Sequence, residues 1–362
     1  MENTALRTVT PNNAKKSIRR AFKKKRPLFL WGPPGIGKSD IVSQITEEYN
    51  NSLLIDIRLS LWDPTDIKGI PYFDPTIGKM VWGAPEELPD EELASQYDTI
   101  VLFLDEMNSA APSVQAAAYQ LILNRRVGKY KLPDNVIIMA AGNREADKGV
   151  TYRMPAPLAN RFVHLELAVD FDDWFEWAIK NDQHRDVVGY LTFSKKDLYD
   201  FDPKSPSRSF ATPRSWSFVS ELLEDDDDEN TTIDLVSGAV GEGLAVKFNA
   251  HRKVASSMPN PSDILAGKVK ELKTKEISAM YSLTVSLCYE LKEASDKGDK
   301  KFDDKVNNFL RFAMDNFETE LVVMGIKLAL TQYSLPIDPD EVECFDEFHE
   351  RFGKYITAAQ QA

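Results

Sequence analysis

The run Gly32-Pro33-Pro34-Gly35-Ile36-Gly37-Lys38-Ser39 constrains this chain more than any other stretch. It satisfies the phosphate-loop pattern G-x-x-x-x-G-K-[ST] at every required position. An apolar run of strand length, Pro27-Leu28-Phe29-Leu30-Trp31, comes just before it, and residues 40–49 after it read as helix. Strand, glycine loop and helix are the context the motif needs. In that context the loop N–H groups and the helix N-terminus together form a concave anion site. Lys38 would reach the β- and γ-phosphates of a nucleotide, ATP or ADP, and the Ser39 hydroxyl would hold Mg²⁺.

The 362 residues are enough for two or three domains with real cores. Hydrophobic residues make up 43% and charged residues 28%, an ordinary balance for a soluble globular chain. A net charge of -13 argues against a general nucleic-acid coat and against a membrane-surface binder. Cys288 and Cys344 lie far apart and fit reduced thiols rather than a disulfide framework. His164, His184, His251 and His349 show no metal-ligand spacing. No stretch approaches the length of a membrane span, and Met1-Glu2-Asn3 does not open a signal peptide. A cytoplasmic protein is expected.

Thr10-Pro11 reads as an N-cap followed by Pro at the first helical position. One face of that helix is apolar, and the other carries a run of Lys and Arg from Lys15 to Arg26. Residues 52–59 read as a second strand. The stretch Asp63-Pro64-Thr65-Asp66-Ile67-Lys68-Gly69 is too structured for a plain linker, and short β-prone arms around Asp74-Pro75-Thr76-Ile77-Gly78-Lys79 signal a hairpin. This long loop reads equally as a substrate contact or as packing between subunits. Next, Thr99-Ile100-Val101-Leu102-Phe103-Leu104 is a continuous apolar run, the mark of a buried parallel strand, and it ends in Asp105-Glu106. Beside a phosphate loop this is the Walker B pattern. Asp105 would hold Mg²⁺ and Glu106 would polarise the attacking water.

A helix to about Asn124 and a second short hairpin, Arg125 to Leu132, lead to another buried strand ending in Ala141-Gly142-Asn143-Arg144. Asn143 stands where an open α/β sheet places its ligand, at a strand's C-terminal end. Residues 155–162 read as a short helix carrying Arg161, a candidate arginine finger that a neighbouring subunit would receive. Thr212-Pro213-Arg214 repeats the cap-plus-Pro helix start. Arg214 in a first helical turn opposes the helix dipole, so an anionic partner is expected there. Residues 225–229 read as an acidic loop. From 231 to 362 the chain reads as helices without a catalytic constellation.

The ordered set of phosphate loop, Asp105-Glu106, Asn143, Arg161 and Arg214 resembles an AAA+ ATPase. The longer phrases resemble the MoxR-type ATPases more specifically. They are Asp63-Pro64-Thr65-Asp66-Ile67-Lys68-Gly69, Leu104-Asp105-Glu106-Met107-Asn108, Leu158-Ala159-Asn160-Arg161-Phe162 and Thr212-Pro213-Arg214. The resemblance spans roughly residues 8–245. It implies an α/β AAA+ core at 1–168, with a five-stranded parallel sheet flanked by helices. A helical lid at 169–255 would follow, with a C-terminal helical extension at 256–362. It also implies a ring, usually hexameric, with ATP between subunits. Lys38 and Ser39 match Walker A, Asn143 matches sensor 1, Arg161 the finger and Arg214 sensor 2. The first hairpin matches the helix-2 insert, and Arg144 and Arg153 are reserve fingers. Members often carry Asp where this chain has Asn160, which bears on the contacts beside the finger. The family remodels protein clients, typically with a partner bearing a von Willebrand factor A domain.

Two other readings stay open at this stage. One is a nucleic-acid motor or loader, supported by the basic helix face and by Arg125, Arg126, Lys129 and Lys131, and opposed by the net charge. The other is a nucleotide-gated binding switch with little turnover.

Overall fold

The structure, a computed structural model, describes residues 7–83, 85–147, 151–224, 228–273 and 276–361. Its contacts divide the chain into two units, Met1–Asp170 with Asp202–Ser205, and Phe171–Phe201 with Pro206–Ala362.

The first unit alternates strands and helices. In chain order it contains β1 (Thr8–Val9), α1 (Pro11–Phe22), β2 (Leu28–Trp31), α2 (Lys38–Glu47), β3 (Ser52–Arg58), α3 (Pro64–Lys68), β4 (Ile70–Asp74) and β5 (Lys79–Gly83). It continues with α4 (Glu91–Ala94), β6 (Thr99–Asp105), α5 (Pro112–Asn124), β7 (Arg126–Val127), β8 (Tyr130–Lys131), β9 (Val136–Gly142), α6 (Ala156–Ala159) and β10 (Val163–Leu167). Six strands form one sheet in the order β1-β10-β2-β9-β6-β3. Every neighbouring pair in it is parallel. The sixth strand, beyond the five expected, is the β1 edge. Its two residues pair with Glu166 and Leu167, too short a run for a hydrophobic pattern to announce.

Burial explains the apolar runs. Residues 100–104 of β6 and all of β9 are buried, because both faces of a central parallel strand are covered. Val114, Ala117, Ala118, Leu121 and Ile122 of α5 pack onto this layer. Helix α1 starts as its cap predicts, with Thr10 accepting from the Asn13 N–H, and buries Ala14, Ile18 and Phe22. On its other face Arg19 pairs with Glu48 at 2.6 Å, a surface contact that contributes little on its own.

The stretch between β3 and β6 is structured throughout its described residues. A short turn, Leu59–Leu61, leads to α3, which begins at Pro64 with the Asp63 N–H donating to Asp66 at 2.7 Å. The β4–β5 hairpin follows, pairing Ile70 with Gly83 and Asp74 with Lys79. Ile70, Phe73, Met80 and Trp82 on it are exposed.

The second unit is helical in its described residues. It holds α7 (Phe171–Lys180), α8 (Arg185–Phe193), α9 (Pro213–Leu222), α10 (Glu229–Val240) and α11 (Glu242–Ala255). Then come α12 (Pro261–Leu265), α13 (Ile277–Asp296), α14 (Phe302–Asn316), α15 (Thr319–Lys327) and α16 (Phe345–Gln361). Helix α9 begins with a reciprocal cap, the Ser215 N–H donating to Thr212 Oγ1 at 3.1 Å and the Thr212 N–H to Ser215 Oγ at 2.8 Å. Asp228 caps α10 through the Thr231 N–H at 2.8 Å. Glu229, the last residue of the expected acidic loop, is the first of α10, and residues 225–227 lie outside the described residues, as do residues 1–6. Cys288 and Cys344 are buried free thiols.

Candidate functional site

Parallel pairing brings three strand ends level. Trp31 at the end of β2 pairs with Gly142 at the end of β9, and Leu104 of β6 pairs with Ala140. Two further bonds extend the pairing past the strands, Gly32 N to Gly142 O at 3.3 Å and Met107 N to Ala141 O at 3.0 Å. The C-terminal edge of an open parallel sheet is where such folds hold ligands. The chain leaves β2 through the glycine loop and enters α2 at Gly37, whose φ of +84° is a left-handed conformation that side chains resist. The motif's last glycine is thus fixed by backbone geometry.

The polar residues at this edge form two hydrogen-bonded sets, one on Lys38 and Asn143 and one on Ser39, Asp105 and Glu106. Lys38 Nζ donates to Gly32 O at 2.8 Å, to Pro33 O at 2.9 Å and to Asn143 Oδ1 at 3.0 Å. An ammonium only donates, so it fixes which end of the Asn143 amide faces it. The Asn143 Nδ2 donates no hydrogen bond among the described residues and is left for another acceptor. Ser39 Oγ donates to Asp105 Oδ2 at 3.0 Å, and Asp105 Oδ1 accepts the Glu106 N–H at 2.8 Å. Glu106 itself has φ of +52°, a left-handed backbone rarely held by a non-glycine residue, and its carboxylate accepts a short hydrogen bond from the Ser60 hydroxyl. Strain of this kind gathers at functional sites.

The donor set suits a magnesium ion. A hydroxyl and a carboxylate oxygen converge from α2 and β6, and Mg²⁺ takes few protein oxygens because phosphates and water complete its shell. The local field is negative as well. Burial and then the Asp105 charge push the Asp56 carboxyl above its ordinary range, with Arg58 opposing and Glu106 adding to the rise.

The three candidate finger arginines differ in commitment. Arg161 is exposed two residues past the end of α6 and makes no ion pair among the described residues. Arg153 is also exposed. Arg144 is engaged, with contacts to Asp147 at 2.8 Å and Glu166 at 3.2 Å. Withdrawing it would take the ion partner from the buried Asp147 carboxylate, leaving it the Arg144 N–H at 3.0 Å. In the helical unit, Arg214 is exposed in the first turn of α9 and makes no ion pair among the described residues. On the second hairpin Arg126, Lys129 and Lys131 are exposed, but Arg125 is turned inward, donating to Pro133 O at 2.6 Å and Val136 O at 2.8 Å.

Three residues that motif reading did not assign support this edge, two by bonding its polar groups and one by bracing the end of β2. Ser60 holds Glu106. Asn108, two residues past the Walker B pair, donates to Asn143 O at 2.7 Å. His164 accepts from Trp31 Nε1 at 2.9 Å through Nδ1, so its Nε2 carries the proton toward Ala159 O at 2.8 Å. That ring links the end of β2 to α6. Only Asn108 had a sequence signal, its place beside Asp105-Glu106; the other two meet the site through folding alone.

Among the described residues no helix is long and apolar enough to cross a membrane, and no cluster of three or more His, Cys, Asp or Glu side chains could hold a metal ion by itself. Residues 28–166 match the family model described as ATPase family associated with various cellular activities (AAA). The chain is 27% identical over 208 residues to Midasin of Giardia intestinalis, a match covering 54% of this chain and 4% of that protein. It is also similar to crystal structures of NtrX from Brucella abortus. One has 15% identity and a TM-score of 0.39, covering 90% of this chain and 69% of that one. The other, in complex with ADP, has 13% identity and a TM-score of 0.39, covering 98% and 70%. The parallel sheet, the phosphate loop ahead of α2 and the family match over residues 28–166 together identify that stretch as an AAA-family ATPase domain.

Proposed function

We propose that the protein is an ATP-hydrolysing ring of MoxR type, six subunits around, that remodels or assembles a protein client in the cytoplasm. A partner with a von Willebrand factor A domain would bring the client. The observation that carries the reading is a division of labour. Lys38, Ser39, Asp105, Glu106 and Asn143 gather at one edge of the sheet, while Arg161 is exposed and makes no ion pair among the described residues. A site built between two copies needs that division.

Phosphoryl transfer asks for positioning and charge neutralisation rather than covalent chemistry. Lys38 would exchange its loop carbonyls for β- and γ-phosphate oxygens. Ser39 and Asp105 would hold Mg²⁺, which neutralises phosphate charge when bound. Glu106 accepts a proton from, or orients, the attacking water, with Ser60 holding its carboxylate. The Asn143 Nδ2 donates to the γ-phosphate or to that water. Arg161 of a second copy supplies a cation to the transition state, and Arg214, from the same or a neighbouring copy, would add a second cation for the phosphates. Hydrolysis would then drive motion between subunits, passed to a client through the hairpins or the C-terminal helices.

The test is ATP turnover and nucleotide affinity of the wild type against Glu106→Gln and Lys38→Ala. The reading expects Glu106→Gln to bind ATP normally and to lose turnover about a hundredfold, and Lys38→Ala to lose binding. Slow wild-type turnover that Glu106→Gln barely changes would replace the motor with a nucleotide-gated switch.

A further inference from the structure

We propose that Asn108 is a positioning residue for Asn143: it fixes the end of β9 so that the Asn143 amide meets Lys38 with its oxygen and the substrate with its nitrogen. This rests on the reading above that Asn143 meets the γ-phosphate or the attacking water.

Three contacts carry the proposal. The pairing of β9 with its neighbours runs out at its C-terminal end. Ala141 O is taken by Met107 N and Gly142 O by Gly32 N, but Asn143 O lies past both ladders. The Asn108 side chain supplies its donor, Nδ2 at 2.7 Å. That bond holds the peptide from which the Asn143 side chain leaves. Second, the Asn108 main-chain oxygen accepts the Tyr152 N–H at 2.6 Å, so the same residue ties β6 and β9 to the chain leading into α6 and Arg161. Third, the fit is close. A Cβ at Gly142 would overlap Asn108 Oδ1, so a glycine is required where the amide crosses β9.

The choice of side chain is not explained by packing. Asn108 is 1% exposed and its Oδ1 has no hydrogen-bond partner among the described residues. Burying an unpaired amide oxygen costs stability that an aliphatic side chain of the same size would not lose. What the amide adds over such a side chain is the one donor aimed at Asn143 O. Asn143 Oδ1 then takes Lys38 Nζ at 3.0 Å, and the direction of its Nδ2 is fixed in turn.

The experiment is steady-state ATPase and binding of a fluorescent ADP analogue for Asn108→Asp, Asn108→Ser and Asn143→Ala, with each Asn108 variant also made in the Asn143→Ala background. Asn108→Asp keeps the shape but replaces the donor with an oxygen facing a carbonyl. Asn108→Ser is smaller and loses the reach, and it serves if the Asp variant does not fold. The proposal expects kcat to fall about tenfold or more with either variant, while KM for ATP and affinity for the ADP analogue stay within twofold. In the Asn143→Ala background the same changes should cost less than twofold, because the group being positioned is gone. Equal losses in both backgrounds, or a kcat within twofold of wild type, would overturn the proposal while leaving the role of Asn143 intact. Wild-type kcat in Asn143→Ala would overturn the reading of Asn143, and the proposal with it.

Discussion

Ser39 Oγ donates to Asp105 Oδ2 at 3.0 Å, although the two residues are 66 positions apart and Ser39 lies in α2, the helix that follows β2, a strand separated from β6 by β9 in the sheet. The contact joins the phosphate loop to the Walker B strand, and it sets two hard oxygen donors where a magnesium–nucleotide complex would share them. Asp105→Asn keeps the shape and removes the charge. It should lower turnover at least tenfold at a fixed magnesium concentration and raise the magnesium needed for half-maximal rate. Nucleotide binding measured with the metal chelated should be unchanged. An unchanged magnesium requirement would contradict the assignment.

The Ser60 hydroxyl bonds to the carboxylate of Glu106, which follows β6 in a left-handed backbone conformation. Ser60→Ala should lower kcat several-fold with KM for ATP unchanged, since the carboxylate keeps its charge but loses its orientation. In a Glu106→Gln background the same change should have little further effect. A loss of equal size there would show that Ser60 acts elsewhere.

His251 should make the helical unit acid-sensitive. It is buried edge-on against Tyr190, with Phe193 stacked on it, and its Nε2 lies 2.7 Å from Ser282 Oγ. Burial pushes its imidazole down to about 4, with nearby Asp186 opposing. In the unfolded chain the ring titrates near 6.5. Between those values the unfolded chain binds a proton that the folded one refuses, so stability falls as pH drops from about 6.5 towards 4. The loss should be about 2 kcal/mol between pH 7.5 and pH 5 in denaturant melts, and His251→Gln should remove most of that slope. An identical slope in the variant would assign the acid sensitivity to other groups.

The sequence carried the strands of the α/β unit well, because central parallel strands are apolar on both faces and read as unbroken runs. The helix starts at Thr10-Pro11 and Thr212-Pro213 were equally legible, since capping is local chemistry. The two-residue β1 edge was not, because its partner is 158 residues away and its pattern is too short. The order of strands was not legible either, yet it is what seats Asn143 between the ends of β2 and β6. The Ser60–Glu106 and Asn108–Asn143 bonds follow from that seating, so no local motif announced them. Arg125 shows the converse. Its charge pattern read as a surface cation, and the backbone carbonyls around it turned it inward.

The central claim is that the active site is shared between copies, and Arg161 decides it. The measurement is ATPase rate per subunit against protein concentration, for wild type and for Arg161→Ala, alone and mixed with Glu106→Gln. The account predicts a rate that rises with concentration and an Arg161→Ala protein at least a hundredfold slower. Turnover should return on mixing, when an intact Glu106 meets an intact Arg161 from the other subunit. A flat rate per subunit together with wild-type turnover in Arg161→Ala would contradict it.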